Sequence, residues 1–195
     1  YILAGGVVIF EWLKIKLELN NRKKKYANDE WFDLVDPEGK IIGSAPRSIV
    51  HGNPDLLHPV VHVHVFNKKG ALFLQKRAEN KQVQPGKWDT SVGGHVSKGE
   101  NIQEAVDREV EEEIGLKRIK VQPLLRYIWK TDFESELVYV FKGFYDETDH
   151  LKVNVDEITE GKFWKRSEIS GNMSKGIFTP NFEYEYQLLK KIKLL

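Results

Sequence analysis

The sequence predicts an α/β domain layered on a mixed β-sheet. Strand-like apolar runs stand before, between and after two helix-patterned segments, so the two element types interleave along the chain. Turn tetrapeptides separate neighbouring strand runs. The chain has 195 residues, enough for one domain with additions and a sizeable core.

Each element has its own signal. Trp31 to Val35 and Lys40 to Ser44 flank the turn Asp36-Pro37-Glu38-Gly39 and read as a hairpin. Val60 to Phe66 and Ala71 to Gln75 flank Asn67-Lys68-Lys69-Gly70 and read as a second. From about Ile102 to Ile114 no Gly or Pro interrupts a helical pattern that Gly115 stops. Ile102, Ala105, Val106, Val110 and Ile114 recur at helical spacing and form its buried stripe. Strands are expected at about 118–127 and 137–145, with a short one at 161–164. Ser167 is placed to cap a short helical turn. Thr179-Pro180 opens the last helix, Thr as N-cap and Pro at N1, running to about Lys191.

The N-terminus differs in character. Tyr1 to Phe10 is apolar but only half the length of a membrane-spanning helix, and no basic segment precedes it as in a signal peptide. Leu13, Ile15, Leu17 and Leu19 alternate with Lys14, Lys16 and Glu18, which is strand periodicity. Asn20-Asn21 reads as a turn and the basic run from Arg22 to Lys25 as a solvated linker. Residues 1–27 are therefore expected to form an appended strand or hairpin, with a homodimer contact as the alternative, and residues 28–195 the main domain.

Composition narrows the function. Lys and Arg number 30 against 29 Asp and Glu, which gives no general attraction to nucleic acid or to an anionic membrane. Cysteine is absent, which excludes disulfides, thiolate zinc sites and cysteine nucleophiles and fits a reducing, cytoplasmic compartment.

Chemistry concentrates in residues 94–116, GHVSKGENIQEAVDREVEEEIGL. Glu109, Glu112 and Glu113 stand at i, i+3 and i+4 of the expected helix, so their carboxylates share a face that Glu111 does not. Such like-charged pairs cost about 0.2–0.5 kcal/mol each in an isolated helix. Negative charge late in a helix also opposes the helix dipole. A cation removes both penalties, and hard carboxylate oxygens suit Mg²⁺ or Mn²⁺. A bare E-x-x-E-E would read as a solvated acidic face. Gly94, Glu100, Arg108 and Gly115 stand around it at spacings that the resemblance below accounts for.

The whole stretch resembles the Nudix box, G-x5-E-x7-R-E-U-x-E-E-x-G-U with U apolar, at every specified position. The resemblance implies an α/β/α sandwich over roughly residues 28–193. It implies that Glu109, Glu112 and Glu113 hold divalent metal, that the Gly94 carbonyl adds a ligand, and that Glu100 and Arg108 support the cluster. It places Glu109, Arg108 and Glu113 in the catalytic set, with Glu109 as general base and Glu134 or Glu136 as alternatives.

Around the box the sequence also resembles the Nudix branch containing type I isopentenyl-diphosphate isomerase. That likeness implies a second metal-ligand set of His51, His58, His95, Glu134 and Glu136, and diphosphate-binding cations at Arg77 and Lys81. Glu134 and Glu136, at i and i+2 of a strand, point to one face. His62 and His64 share the strand face of His58, and an ordinary strand role for these histidines is the alternative. Imidazoles ligate when neutral, so this site should weaken below about pH 6.5, whereas carboxylates should hold metal to nearer pH 4.

One departure decides between the branches. The isomerase uses a cysteine as acid/base just before the box, and here Gly93 stands there with no cysteine elsewhere. Allylic isomerisation needs a proton donor and acceptor about the reacting carbons. The expectation is therefore a Mg²⁺- or Mn²⁺-dependent hydrolase of a small-molecule diphosphate, such as a nucleoside diphosphate linked to another group. The alternatives are an isomerase-like enzyme and a non-catalytic module binding a diphosphate ligand. Trp88, in the Gln84-Pro85-Gly86-Lys87-Trp88 loop, is expected in the core, with stacking on a substrate as the alternative.

Overall fold

The computed structural model describes residues 25–81, 83–117, 119–146 and 150–194. The apolar run at 1–10 and the alternating segment at 13–19 lie outside these. Strands β1 (Trp31–Val35) and β2 (Ile41–Pro46) form the first expected hairpin as a separate two-stranded sheet. Its turn is held by Asp36, whose Oδ1 accepts from the Glu38 and Lys40 amides. Gly39 adopts φ +86°, the left-handed region that the turn requires. A short helix, α1 (Arg47–Val50), leads to the main sheet.

That sheet has seven strands. The path runs β5 (Trp88–Asp89), β4 (Leu72–Arg77), β3 (Leu57–Phe66), β8 (Ser135–Phe144), β7 (Val121–Lys130). β6 (Val92–His95) pairs with β3, and β9 (Ile158–Trp164) with β4. β3 and β8 are parallel in unbroken register from Leu57↔Ser135 to Phe66↔Phe144, and the other pairs are antiparallel, so the sheet is mixed as expected.

The second hairpin departs from expectation. β3 and β4 meet at Phe66↔Leu72 and then part. Ser91 fills the opening: the Val65 amide donates to its hydroxyl, which donates in turn to the Phe73 carbonyl. One side chain thus replaces direct ladder bonds and lets β6 run beside β3. The split places β6 where the site forms.

Helix α2 (Ile102–Ile114) matches its expected span. Asn101 and Glu104 add a capping box that reciprocally satisfies two backbone donors, and Gly115 ends the helix at φ +70°. α3 (Arg166–Asn172) starts one residue before Ser167, and the Glu168 carboxylate accepts from the Lys165 amide, so Ser167 is inside the helix and not its cap. α4 (Pro180–Lys191) has the expected Thr179 cap, which accepts from the Phe182 amide.

Alternation along β3 divides the core. Val61, Val63 and Val65 pack with Ala105, Val106, Val110 and Ile114 of α2. Val60 packs on the opposite face with Val138, Val140 and Leu189 of α4. Leu72, Leu74, Trp88, Trp164, Phe178 and Phe182 extend that second layer, with Trp88 edge-on to Trp164 at 5.1 Å in the core. Helices on both faces make the α/β/α sandwich. Each such buried side chain contributes about 1.5–3 kcal/mol, which fixes α2 against the sheet. No helix among the described residues is long and apolar enough to cross a membrane.

Candidate active site

The final turns of α2 carry the box carboxylates to the edge of β6. Gly94 is required by close approach: a Cβ there would fall 1.9 Å from Cδ of Glu109. Glu113 is buried in the split between β4 and β6, where its Oε2 accepts from Gln75 Nε2 (2.9 Å) and the Gly93 amide (3.2 Å). Arg108 organises the remainder. Its Nε and Nη2 donate to the two oxygens of Glu100, and Nη1 to Glu109 (2.6 Å) and Glu112 (3.3 Å). Nη2 also donates to the His95 carbonyl (2.8 Å), tying the helix to β6. Glu111 pairs with Lys117 off this face, as its spacing implied.

These surroundings set the charges. Burial, with the Glu109 charge added, pushes the Glu113 carboxyl up to about 8. Burial pushes Glu109 up to about 6 although Arg108 opposes it. The Arg108 hydrogen bond holds Glu100 below the usual carboxylate range. Ionising Glu109 and Glu113 together therefore calls for added positive charge.

The histidine set converges on the other side of β6. His51 follows α1, His58 begins β3 and His95 ends β6. His51 and His95 approach to 3.0 Å between their Nε2 atoms. Ligand atoms of His51, His58 and His95 all lie within 4.8 Å of one another, and so do those of His58, Glu134 and Glu136. Glu134 lies 3.8 Å from His51. Among the described residues Glu109, Glu112 and Glu113 do not form so tight a group: Glu109 and Glu112 both turn to Arg108, while Glu113 turns into the split.

The donors suit a cation. His58 Nε2 is buried with no hydrogen-bond partner, a costly state that a ligated ion would relieve. Burial lowers all three imidazoles, His58 to about 4 and His95 well below its ordinary value, so they stand neutral, the protonation state in which imidazole ligates. Burial, with the Glu134 charge behind it, pushes Glu136 up to about 7. Burial moves both groups off the unperturbed values behind the expected pH order, because it destabilises the charged form of each. Imidazoles lose their proton more easily and carboxylates hold theirs more tightly.

β6 joins the two clusters, since the Gly93 amide meets Glu113, Gly94 abuts Glu109 and His95 enters the histidine set. Arg77 donates to Asp89 (3.1 Å) and to the Val83 carbonyl, and Lys81 pairs with Glu157 (3.3 Å). Both stand engaged with protein partners rather than free at the cluster.

Several residues here have no role in the sequence reading. Phe32 of β1 stacks on His95 (4.5 Å, 7°) and on His58 (5.4 Å), so the separate hairpin roofs the histidine cluster. Nothing local in a strand phenylalanine indicates which ring it will cover. Gln75 is equally silent. Glu185 does carry a signal: it sits in the stripe of α4 shared by Phe182, Tyr186 and Leu189, where a carboxylate needs a buried partner. Its partners are His62 and His64.

Comparison with known proteins agrees with this geometry. Residues 56–182 match the NUDIX domain family. An uncharacterized Nudix hydrolase of Listeria monocytogenes is 31% identical over 159 residues, covering 79% of this chain and 90% of that protein. An isopentenyl-diphosphate Delta-isomerase of Clavibacter michiganensis is 38% identical over 117 residues, 56% of this chain and 60% of that protein. The structure of DR0079 from Deinococcus radiodurans superposes with TM-score 0.66 at 23% identity, covering 77% of this chain and 92% of that one. A MutT protein from Methanosarcina mazei gives 0.61 at 24%, covering 72% and 96%. These two likenesses establish the fold.

Proposed function

This chain belongs to the Nudix hydrolase family of enzymes, and we propose that it cleaves a diphosphate linkage in a small molecule with the help of Mg²⁺ or Mn²⁺. One observation carries the reading. The box carboxylates are complete and partly buried, while Gly93 leaves the neighbouring position without an acid/base group. The ligands we assign are Glu109, Glu112 and Glu113 with the Gly94 carbonyl for one ion, and His51, His58, His95, Glu134 and Glu136 for another. When bound, such ions supply positive charge against the diphosphate oxygens and lower the pKa of a water.

The side chains do the rest. Glu109, whose carboxyl burial raises above the usual carboxylate range, is the residue assigned to accept a proton from the attacking water. Arg108 fixes Glu109 from one side while Gly94 abuts it from the other, which holds the base in place. Gln75 and the Gly93 amide fix Glu113. Arg77 and Lys81 are the cations assigned to the diphosphate, exchanging Asp89 and Glu157 for phosphate oxygens as it enters.

The second reading is isomerisation of isopentenyl diphosphate. It is favoured by the isomerase relative and the His/Glu set, and opposed by the absence of cysteine. A panel of nucleoside diphosphate sugars, dinucleotides, coenzymes and prenyl diphosphates, assayed for phosphorus-containing products with Mg²⁺, Mn²⁺ or EDTA, tests the proposal. Cleavage of at least one member that EDTA stops is expected. Failure on all of them with either metal would overturn it.

A further inference from the structure

β3 and β6 bring a histidine that neither cluster uses to the position that opens the box. His62 pairs across the ladder with Gly93, and it faces α4, as do His58 and Glu136. Gly94 faces the other way, onto Glu109. A Cβ at Gly93 would lie 3.3 Å from His62 Cδ2 and 3.5 Å from its Nε2. The missing side chain therefore leaves a slot against that edge of the imidazole.

The opposite edge is clamped. His62 Nδ1 donates to Glu185 Oε2 at 2.9 Å. Glu185 is fully buried and also accepts from His64 Nε2 and from the Tyr127 hydroxyl (2.8 Å). Three donors from two strands fix the carboxylate, and it fixes the ring. The buried, unpartnered polar side-chain atoms among the described residues include His58 Nε2 and His64 Nδ1 but not His62 Nε2. The His62 side chain keeps 11% exposure where His64 keeps none. Its free nitrogen thus reaches the slot side.

We propose that His62 is a substrate-contacting residue, whose Nε2–H, oriented by Glu185, donates to an anionic oxygen of the diphosphate lying beside Gly93. This rests on the hydrolase reading and adds a binding group to it. A carboxylate-backed imidazole directed at one point gives a charge-assisted hydrogen bond with little ordering left to do on binding. Burial alone would lower the His62 pKa, but the Glu185 charge and hydrogen bond outweigh it and hold it up at about 9, so the ring carries its proton at neutral pH. In a hydrolase with this arrangement Gly93 is a requirement of space, since any side chain there would crowd the ring.

Methylenediphosphonate, which cannot be hydrolysed, is the probe. In the ¹⁵N-labelled wild-type chain with Mg²⁺, the His62 ring nitrogens should both carry protons, and Nε2 should shift on adding the probe while His64 stays in place. By calorimetry, His62→Gln and Glu185→Gln should each bind the probe roughly tenfold or more weakly, the loss of a charge-assisted hydrogen bond. For the cleavable substrate, KM should rise more than kcat falls. An unmoved His62 resonance, or wild-type affinity in a folded His62→Gln protein, would overturn the assignment. The resonance measurement uses the unaltered chain, so it decides the matter even if the variants fold poorly. If the wild type neither binds the probe nor cleaves any diphosphate, the hydrolase reading falls; if it does both and His62→Gln matches it, only the role of His62 falls.

Discussion

Replacing Glu113 by Gln should make the metal-free protein more stable while removing its activity. The carboxyl is buried in the sheet split, and its pKa rises from 4.5 to about 8. A raised carboxyl favours folding at low pH, where both states are protonated, and that advantage is lost as pH rises from 4.5 through about 8. At pH 7 the unfolded chain has released the proton and the folded chain still holds it. At 1.36 kcal/mol per pH unit over the 2.5 units between, folding is penalised by about 3 kcal/mol. Glutamine keeps the shape and can accept from Gln75 and the Gly93 amide without titrating. In EDTA at pH 7 the variant should gain about 3 kcal/mol in urea unfolding, or about 6–12 °C in Tm for a chain of this size. The gain should vanish below pH 4.5. Saturating Mg²⁺ should stabilise the wild type more than the variant, so the difference narrows. Equal or lower stability of Glu113→Gln in EDTA at pH 7, with the same pH dependence as wild type, would refute the reasoning.

Three further outcomes follow from the same geometry. Gly94→Ala should fold, because the Cβ meets the end of a flexible side chain, yet displacing the Glu109 carboxylate should lower kcat about 100-fold or more; turnover near wild type would show that Glu109 need not abut β6. Bound Mn²⁺, followed by electron paramagnetic resonance, should be lost as pH falls from 7.5 to 5.5, because burial raises ligand carboxyls in both sites, Glu113 to about 8, Glu136 to about 7 and Glu109 to about 6; full occupancy at pH 5.5 would contradict the role given to burial. Isopentenyl diphosphate should yield no dimethylallyl diphosphate, because Gly93 can neither give nor take a proton, and conversion by protein free of contaminating isomerase would require another acid/base pair.

Much of this was legible in the residues, for reasons that differ by element. The α2 span, its carboxylate face and its Gly115 stop follow from helical periodicity and glycine's freedom, both local properties. The Thr179-Pro180 start of α4 is equally local. The β3–β4 hairpin was read too simply, because Ser91 enters the ladder from elsewhere in the sequence, and no turn signal can report that. Convergence of His51, His58 and His95 followed from a resemblance and not from spacing: their separations of 7 and 37 residues impose no proximity. The pKa shifts were not legible, because unperturbed values ignore burial, which depends on packing at long range. Glu185 was readable in principle, as a carboxylate among the buried positions of an amphipathic helix, but its partners His62 and His64 lie more than 100 residues away.

Hydrolysis of the fastest-cleaved diphosphate in H₂¹⁸O, followed by ³¹P resonance and mass spectrometry with Mg²⁺ and with EDTA, tests the metal-dependent hydrolase reading most directly. One ¹⁸O should appear in a phosphate product per turnover, only with the divalent ion present, and not with Glu113→Gln. Turnover that persists in EDTA, or that Glu113→Gln supports at the wild-type rate, would contradict it.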